Sequence, residues 1–241
     1  MFVNTGLEYP DVRQFALSQK NVVRVDPKLK FYDVITRYGY PVVSKEQAQY
    51  IYEARTTKSE KLRNIRLYGK DQGLGKISER WKFLLDAPFK ISNKCCDFLK
   101  KQPVKQYEKE TGRKPIVATM AAESRLRLLS WQRHGCNAFD AKRPISQPMA
   151  FWTEQDVLQY IVQNKLEIAK PYGEIVEDED GLLHCTGLSR TGCMFCMFGV
   201  HQEEYSRFDF LKANYPKQYD YCMNQLGLKK VLAYIKKHDG D

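Results

Sequence analysis

Apolar and polar positions change period every few residues along this chain, and each change marks an element. Phe2-Val-Asn-Thr-Gly6 is aromatic and β-branched until it breaks at glycine, which predicts the end of a strand running into a turn. Pro10 suits a first helical position, so a helix is predicted from there to about Ser18. Val22 to Val25 predicts a short strand, and Phe31 to Tyr38 a helical turn or two closed by Gly39 and Pro41. Ser44 and Gln47 have the spacing of a capping box, starting a helix that runs to about Arg55. Strands alternating with helices predict an α/β fold, a parallel sheet flanked by helices.

Further along, Thr56 to Arg80 is polar, basic and glycine-containing, and is expected to be a mobile excursion from the sheet. Lys94 to Glu110 is predicted helical with an interruption near Pro103, and Pro115 to Thr119 is predicted to be a buried strand. Thr153 and Asp156 cap a helix over Val157 to Gln163, and the acidic stretch Glu174 to Gly181 predicts a hairpin tip. Short helices follow Tyr205. There is no internal repeat or low-complexity linker, so the expected organisation is one domain over 1–200, with the basic excursion at 56–80, and a helical C-terminal extension over 201–241.

With 241 residues, 43% of them hydrophobic, the chain has the means to bury a sizeable core. It contains no run of eighteen apolar residues, and its first residues lack the basic-then-apolar layout of a secretory signal. The expectation is a soluble cytoplasmic protein without a membrane partner. The formal charge of +10 is matched by Arg55 to Lys114 alone, which holds 17 basic and 7 acidic residues. Such a segment suits a polyanion, either a phosphorylated nucleotide or a nucleic acid; a solvated helical surface is the plainer alternative.

Seven unevenly spaced cysteines make a disulfide framework a poor reading and thiolate chemistry a better one. Gly192-Cys-Met-Phe-Cys196 is a C-x-x-C on a glycine turn, a spacing that lets both sulfurs face one metal site. Cys95 and Cys96 add two adjacent thiols, and four thiolates are what a cubane iron–sulfur cluster requires. Side chains of neighbouring residues diverge, which suits a cluster with irons at separate corners better than one tetrahedral zinc. Zinc, redox and buried-cysteine readings stay open. Lys94, Lys100 and Lys101 flank the pair and favour thiolates. Cys185 could substitute for one ligand; Cys136 and Cys222 are expected in the core.

Taken in order, these motifs resemble the phosphoadenosine phosphosulfate (PAPS) reductase family of the adenine-nucleotide α-hydrolase-like superfamily. Phe2-Val-Asn-Thr-Gly-Leu-Glu-Tyr-Pro10 is similar to the family's second strand and Asp-Thr-Gly turn, with Asn4 replacing the acid. Cys95-Cys96 with Lys100 and Pro103 resembles its double-cysteine motif. Glu123-Ser124 and Arg127 resemble its Glu/Asp-Ser-x-x-Arg element, Pro148 with Trp152 to Val157 its P-x-x-x-W-T-x-x-D-V segment, and Arg190 to Cys196 its second cysteine pair. The resemblance spans residue 2 to about residue 200. It implies that residues 1–200 form a nucleotide-binding domain taking ATP, adenylyl sulfate or PAPS at the strand ends, with Asn4, Thr5, Gly6, Glu123, Ser124 and Arg127 at the nucleotide. It also implies a 4Fe–4S cluster on Cys95, Cys96, Cys193 and Cys196, with Cys185 as a substitute.

Three departures qualify that picture. The family's Ser-Gly-Gly-Lys-Asp-Ser phosphate loop precedes the segment that begins here at residue 2, so the chain looks like a truncated form or a member whose loop comes from a protein partner. Gly69-Lys-Asp-Gln-Gly-Leu-Gly-Lys76 is a weak substitute because no strand precedes it. The reductases' C-terminal Glu-Cys-Gly is missing from the Lys229 to Asp241 tail, so no catalytic residue is assigned. Met120 or Ala121 stands where an arginine is usual, leaving the anion to Arg125 or Arg127, although Arg127 could instead pair with Glu123. The expected activity is nucleotide-dependent sulfur metabolism, an oxidoreductase or transferase. The alternatives are ATP-dependent sulfur transfer to nucleic acid through segment 55–114, and a non-catalytic cluster-bearing subunit.

Overall fold

The computed structural model describes residues 1–203 and 205–239; positions 204, 240 and 241 of the expected C-terminal extension lie outside the described residues. Strand β1 (Phe2–Val3) runs into a turn at Gly6, whose φ of 75° is the left-handed conformation glycine tolerates. Helix α1 (Pro10–Ser18) follows, opened by Pro10 as predicted. Strand β2 (Arg24–Val25) pairs with β1 in parallel, Phe2 opposite Arg24 and Val3 opposite Val25. Helix α2 (Phe31–Tyr38) buries Phe31, Val34 and Ile35, an i, i+3, i+4 face. It stops at Gly39, where φ is 111° and an added Cβ would lie 2.2 Å from the Lys90 carbonyl carbon.

Strand β3 (Val42–Val43) leads to α3 (Lys45–Thr56), whose Ser44 cap accepts the Gln47 amide at 3.1 Å. The region expected to be a mobile excursion is instead built into the fold. It contains α4 (Glu60–Tyr68), and Arg66 on that helix bonds Glu53 of α3 at 2.6 Å and the Gly75 carbonyl at 2.8 Å. Ile77 and Trp81 beyond it are buried. Its polar residues find partners within the protein, which composition alone does not reveal. Gly69 to Lys76 follows a helix, and Lys70 and Leu74 close on one another at 2.8 Å, an ordinary loop closure.

Helix α5 (Lys94–Cys96) passes through a π-type turn, Asp97–Lys101, into α6 (Gln102–Thr111). The predicted interruption is therefore that wide turn, just ahead of Pro103. Pro115 to Thr119 is not a buried strand: only Ile116 forms a bridge, to Ser146, and it is 75% exposed. Then come α7 (Arg125–His134), the antiparallel pair β4 (Asn137–Ala138) and β5 (Ile145–Ser146), and α8 (Glu154–Gln163) with its Thr153–Asp156 cap. Strands β6 (Ile175–Glu177) and β7 (Leu183–Cys185) make the predicted acidic hairpin. Strand β8 (Met197–Phe198) pairs in parallel with β3, and α9 (Arg207–Asn214), α10 (Pro216–Asp220) and α11 (Leu228–His238) follow.

The fold is mixed α/β with small parallel pairs, but among the described residues no extensive parallel sheet forms. The described residues form four two-stranded sheets, two parallel and two antiparallel. Strands of two or three residues offer too few ladder bonds to build outward, so helix packing carries the stability. One core runs from Leu7 to Ile235, and Phe208, Leu211, Leu228 and Val231 of the C-terminal helices fill it alongside Val34, Ile51 and Leu84. Each such side chain contributes roughly 1.5–3 kcal/mol by burial. Ala121, Ala150, Leu158 and Ala169 are buried outside that cluster.

Candidate metal and nucleotide site

The C-x-x-C turn is pinned at three points. The Cys196 amide donates to the Cys193 carbonyl at 3.0 Å, the Met194 amide to the Leu7 carbonyl at 2.8 Å, and β8 begins at Met197, opposite Val42. Met194 and Phe195 are buried in the core, and Cys193 packs against it. Cys95 is buried on α5 and Cys96 half-buried beside it. Charge on Cys95 is felt by Cys96, Cys193 and Cys196, and Cys196 in turn feels Cys193 and Cys96. Two segments almost a hundred residues apart thus stand within electrostatic reach of one another.

Their environments differ. Hydrogen bonding from Cys95 stabilises the Cys96 thiolate, with Lys45 and Lys100 adding to it against the cost of burial, and its pKa falls to about 6. Cys95 moves the opposite way for the same reason, as one proton is shared between the pair. Burial pushes the Cys196 thiol up to about 11, although the Phe198 amide and Arg207 oppose it. Burial also raises Cys193, against the pull of Lys100. Lys100 is exposed as a residue, but its ammonium turns in toward Cys193 and Cys96.

Of the three flanking lysines, Lys100 turns to the sulfurs, Lys94 lies over the Tyr52 ring at 5.6 Å, and Lys101 pairs with Asp97 at 2.8 Å while also feeling the charge of Cys96. Sequence reading missed Lys45, Arg207 and Glu8, whose distance along the chain gives no motif. Cys185 is not part of the group; it sits in β7 opposite Ile175, and its charged neighbour is Glu154. Cys222 is buried in the core as expected, whereas Cys136 is only half-buried and lies outside it.

The residues expected at a nucleotide fall into two groups. Asn4 donates to Asp26 at 2.6 Å and accepts from Arg13 at 2.8 Å; Thr5 donates to Glu8 at 2.6 Å and accepts from the Leu7 amide at 3.1 Å. Gly6, Glu8 and Arg13 border an open cavity of about 680 Å³. Glu8 Oε2 is buried without a partner among the described residues, as is the Tyr9 hydroxyl. Glu123, Ser124 and Arg127 form a separate local cap: Ser124 accepts the Arg127 amide, Glu123 accepts the Met120 amide at 2.9 Å, and Arg127 is ion-paired with Glu123. No hydrogen bond or ion pair joins the two groups among the described residues.

No protein-family model matches this chain, and no curated protein sequence does. Among the described residues no helix is long and apolar enough to cross a membrane. No three His, Cys, Asp or Glu side chains among them are gathered tightly enough to hold a single metal ion. The donor set of the site is four thiols with cations at Lys45, Lys100 and Arg207. A cubane cluster assigns one thiolate to each iron, and nearby cations offset its negative charge. In donor type, though not by any measured arrangement, these residues match that group.

Proposed function

We propose that this chain is a nucleotide-dependent sulfur enzyme of PAPS reductase type, with an adenine-nucleotide α-hydrolase-like ancestry. Cys95, Cys96, Cys193 and Cys196 would hold a 4Fe–4S cluster beside a cleft for ATP, adenylyl sulfate or PAPS. What supports this is the electrostatic coupling among the four thiols, together with the bond from the Met194 amide to the Leu7 carbonyl beside the Asn4–Gly6 loop. Such a cluster supplies a fixed, polarisable charge distribution near the nucleotide. Of the chain's own groups, Lys100 turns to Cys193 and lies within electrostatic reach of Glu8, offering a cation for a sulfate or phosphate oxygen. Glu8 Oε2, buried and unpaired among the described residues, is positioned to accept a hydrogen bond from a ribose hydroxyl.

The test is anaerobic purification. The expected protein is brown, contains about four irons and four sulfides per chain, and loses both in Cys95→Ser and Cys196→Ser. A colourless protein carrying stoichiometric zinc would remove the cluster from the proposal. Calorimetry with ATP, adenylyl sulfate and PAPS then distinguishes reductase-like from ATP-using chemistry.

A second reading, a subunit completed by a protein partner that brings a phosphate loop, draws on open backbone edges. Among the described residues β1 pairs only with β2 and Ile116 bridges only Ser146, and Leu126 on α7 is 80% exposed. On this reading the isolated chain binds the cluster but no adenine nucleotide until a loop-bearing polypeptide is added.

A further inference from the structure

The basic segment from Arg55 to Lys114 does not form one continuous stripe. Arg55 is spent on the Ala87 and Phe89 carbonyls, Arg66 on Glu53, Arg80 on Asp239, and Lys76 and Lys82 on Glu79. Lys101 is held by Asp97, and Lys100 turns to the sulfurs. What stays exposed and without an ion pair among the described residues includes Lys105 and Lys109, on one face of α6.

That face forms one wall of a groove of about 700 Å³, whose other wall is β2 and the loop after it. Lys28 reaches the groove from that loop, also exposed and without an ion pair among the described residues. Arg24 and Asp26 line it as a pair at 2.7 Å, and Glu110 lines it while accepting from Gln106 at 2.5 Å. Val25, Leu29, Phe98 and Pro103 line it with apolar surface, and the half-buried Tyr107 on α6 lines it as well. Tyr107 is steadied by Arg113, which donates to its hydroxyl at 3.1 Å, and Phe98 by stacking on Tyr38 at 4.7 Å.

Lys105 and Lys109, four residues apart on a helix, repel one another, and that repulsion is relieved by an anion shared between them. They stand about 6 Å apart along the helix axis, and α6 as a whole runs about 15 Å. Cations at intervals beside an aromatic face are what an unstacked polynucleotide uses: phosphates on the ammoniums, a base against the ring. A duplex keeps its bases stacked and could not offer one to Tyr107.

We propose that the groove between β2 and α6 binds single-stranded nucleic acid, two to three nucleotides at a time, through Lys28, Lys105, Lys109 and the Tyr107 ring. The proposal does not depend on the cluster or on the adenylate cleft. Fluorescence anisotropy of labelled dT12 and U12 tests it on the full chain over a salt series. Three phosphate contacts predict a slope of log affinity against log salt near −2 for either strand. Lys105→Glu with Lys109→Glu is expected to weaken binding at least tenfold and flatten the slope. Tyr107→Leu is expected to weaken it about 5- to 100-fold with the slope unchanged. Lys217→Glu with Lys229→Glu, equal in charge change but remote, should leave affinity within about twofold. Circular dichroism checks that each variant is folded, and the visible spectrum and adenine-nucleotide affinity should not move, which separates this proposal from the one above.

Wild-type affinity in the α6 double variant would overturn the proposal, as would an equal loss in the remote double variant. So would inorganic polyphosphate competing as well as dT12 together with an inert Tyr107→Leu, or a duplex bound as tightly as the single strand. A preference between dT12 and U12 identifies DNA or RNA as the source of the strand.

Discussion

The Met194 amide donates a hydrogen bond to the Leu7 carbonyl at 2.8 Å, and this bond fastens the Cys193–Cys196 turn to the loop carrying Asn4, Thr5 and Gly6. Leu7 is itself 4% exposed and part of the core. Leu7→Ala therefore disturbs both. It is expected to cost about 2–4 kcal/mol and to lower Tm by about 5–12 °C. Hydrogen exchange at the Met194 amide should quicken in the same variant, and an unchanged exchange rate would mean the turn is held by other contacts.

The four thiols should react unequally in reduced, metal-free protein. Cys96, with a pKa lowered to about 6, is mostly thiolate at neutral pH, while burial raises Cys193 and takes Cys196 up to about 11. Iodoacetamide should label Cys96 first, with a rate that rises through about pH 6. Mass spectrometry of peptides after brief labelling reads this directly. Lys45→Ala should shift the rate profile to higher pH, and a profile centred on the ordinary thiol value of about 8.5 would contradict the assignment.

Gly39 tolerates no side chain. Its φ is 111°, and a Cβ there would meet the Lys90 carbonyl carbon at 2.2 Å, where the chain forms the Tyr40–Ile91 bridge. Gly39→Ala is expected to destabilise by about 3 kcal/mol or more, seen as a lower urea midpoint. Gly112→Ala, with nothing within 4 Å of its added Cβ, should cost clearly less.

Glu203 gives the fold an acid limit. Burial alone would raise its carboxyl, but hydrogen bonds from the Arg207 side chain and amide outweigh that and hold it below the ordinary value of 4.5. A carboxyl depressed in the folded state adds stability above its unfolded pKa and loses that contribution as pH falls through the folded value. The Tm difference between wild type and Glu203→Gln should be largest near neutrality and shrink between about pH 5 and pH 3. A difference constant with pH would assign the effect to packing.

Ending the chain after Val200 removes Phe208, Leu211, Met223, Leu228 and Val231 from the one core, together with the bond from the Tyr40 hydroxyl to the Leu226 carbonyl at 2.8 Å. The shortened chain is expected to be insoluble or to lack a cooperative thermal transition. A folded 1–200 fragment would show that the C-terminal helices are an independent layer.

Local chemistry was legible without coordinates. Pro10, Gly39, the Ser44–Gln47 cap and the Thr153–Asp156 cap each act within a few residues, so the helices they bound follow from the sequence itself. The C-x-x-C and the adjacent cysteine pair were visible as candidate ligands for the same reason: their spacing is their signal. Sheet extent was not legible, because an apolar run such as Pro115 to Thr119 is a strand only if neighbours pair with it, and here Ile116 finds one bridge. Nor was the fate of the charges. Arg66 and Arg80 read as a solvent-facing basic stripe until Glu53 and Asp239 are brought beside them, and Lys45, Glu8 and Arg207 meet the sulfurs only through folding. Burial and long-range pairing depend on the whole chain at once, so they belong to the tertiary structure rather than to any stretch of sequence.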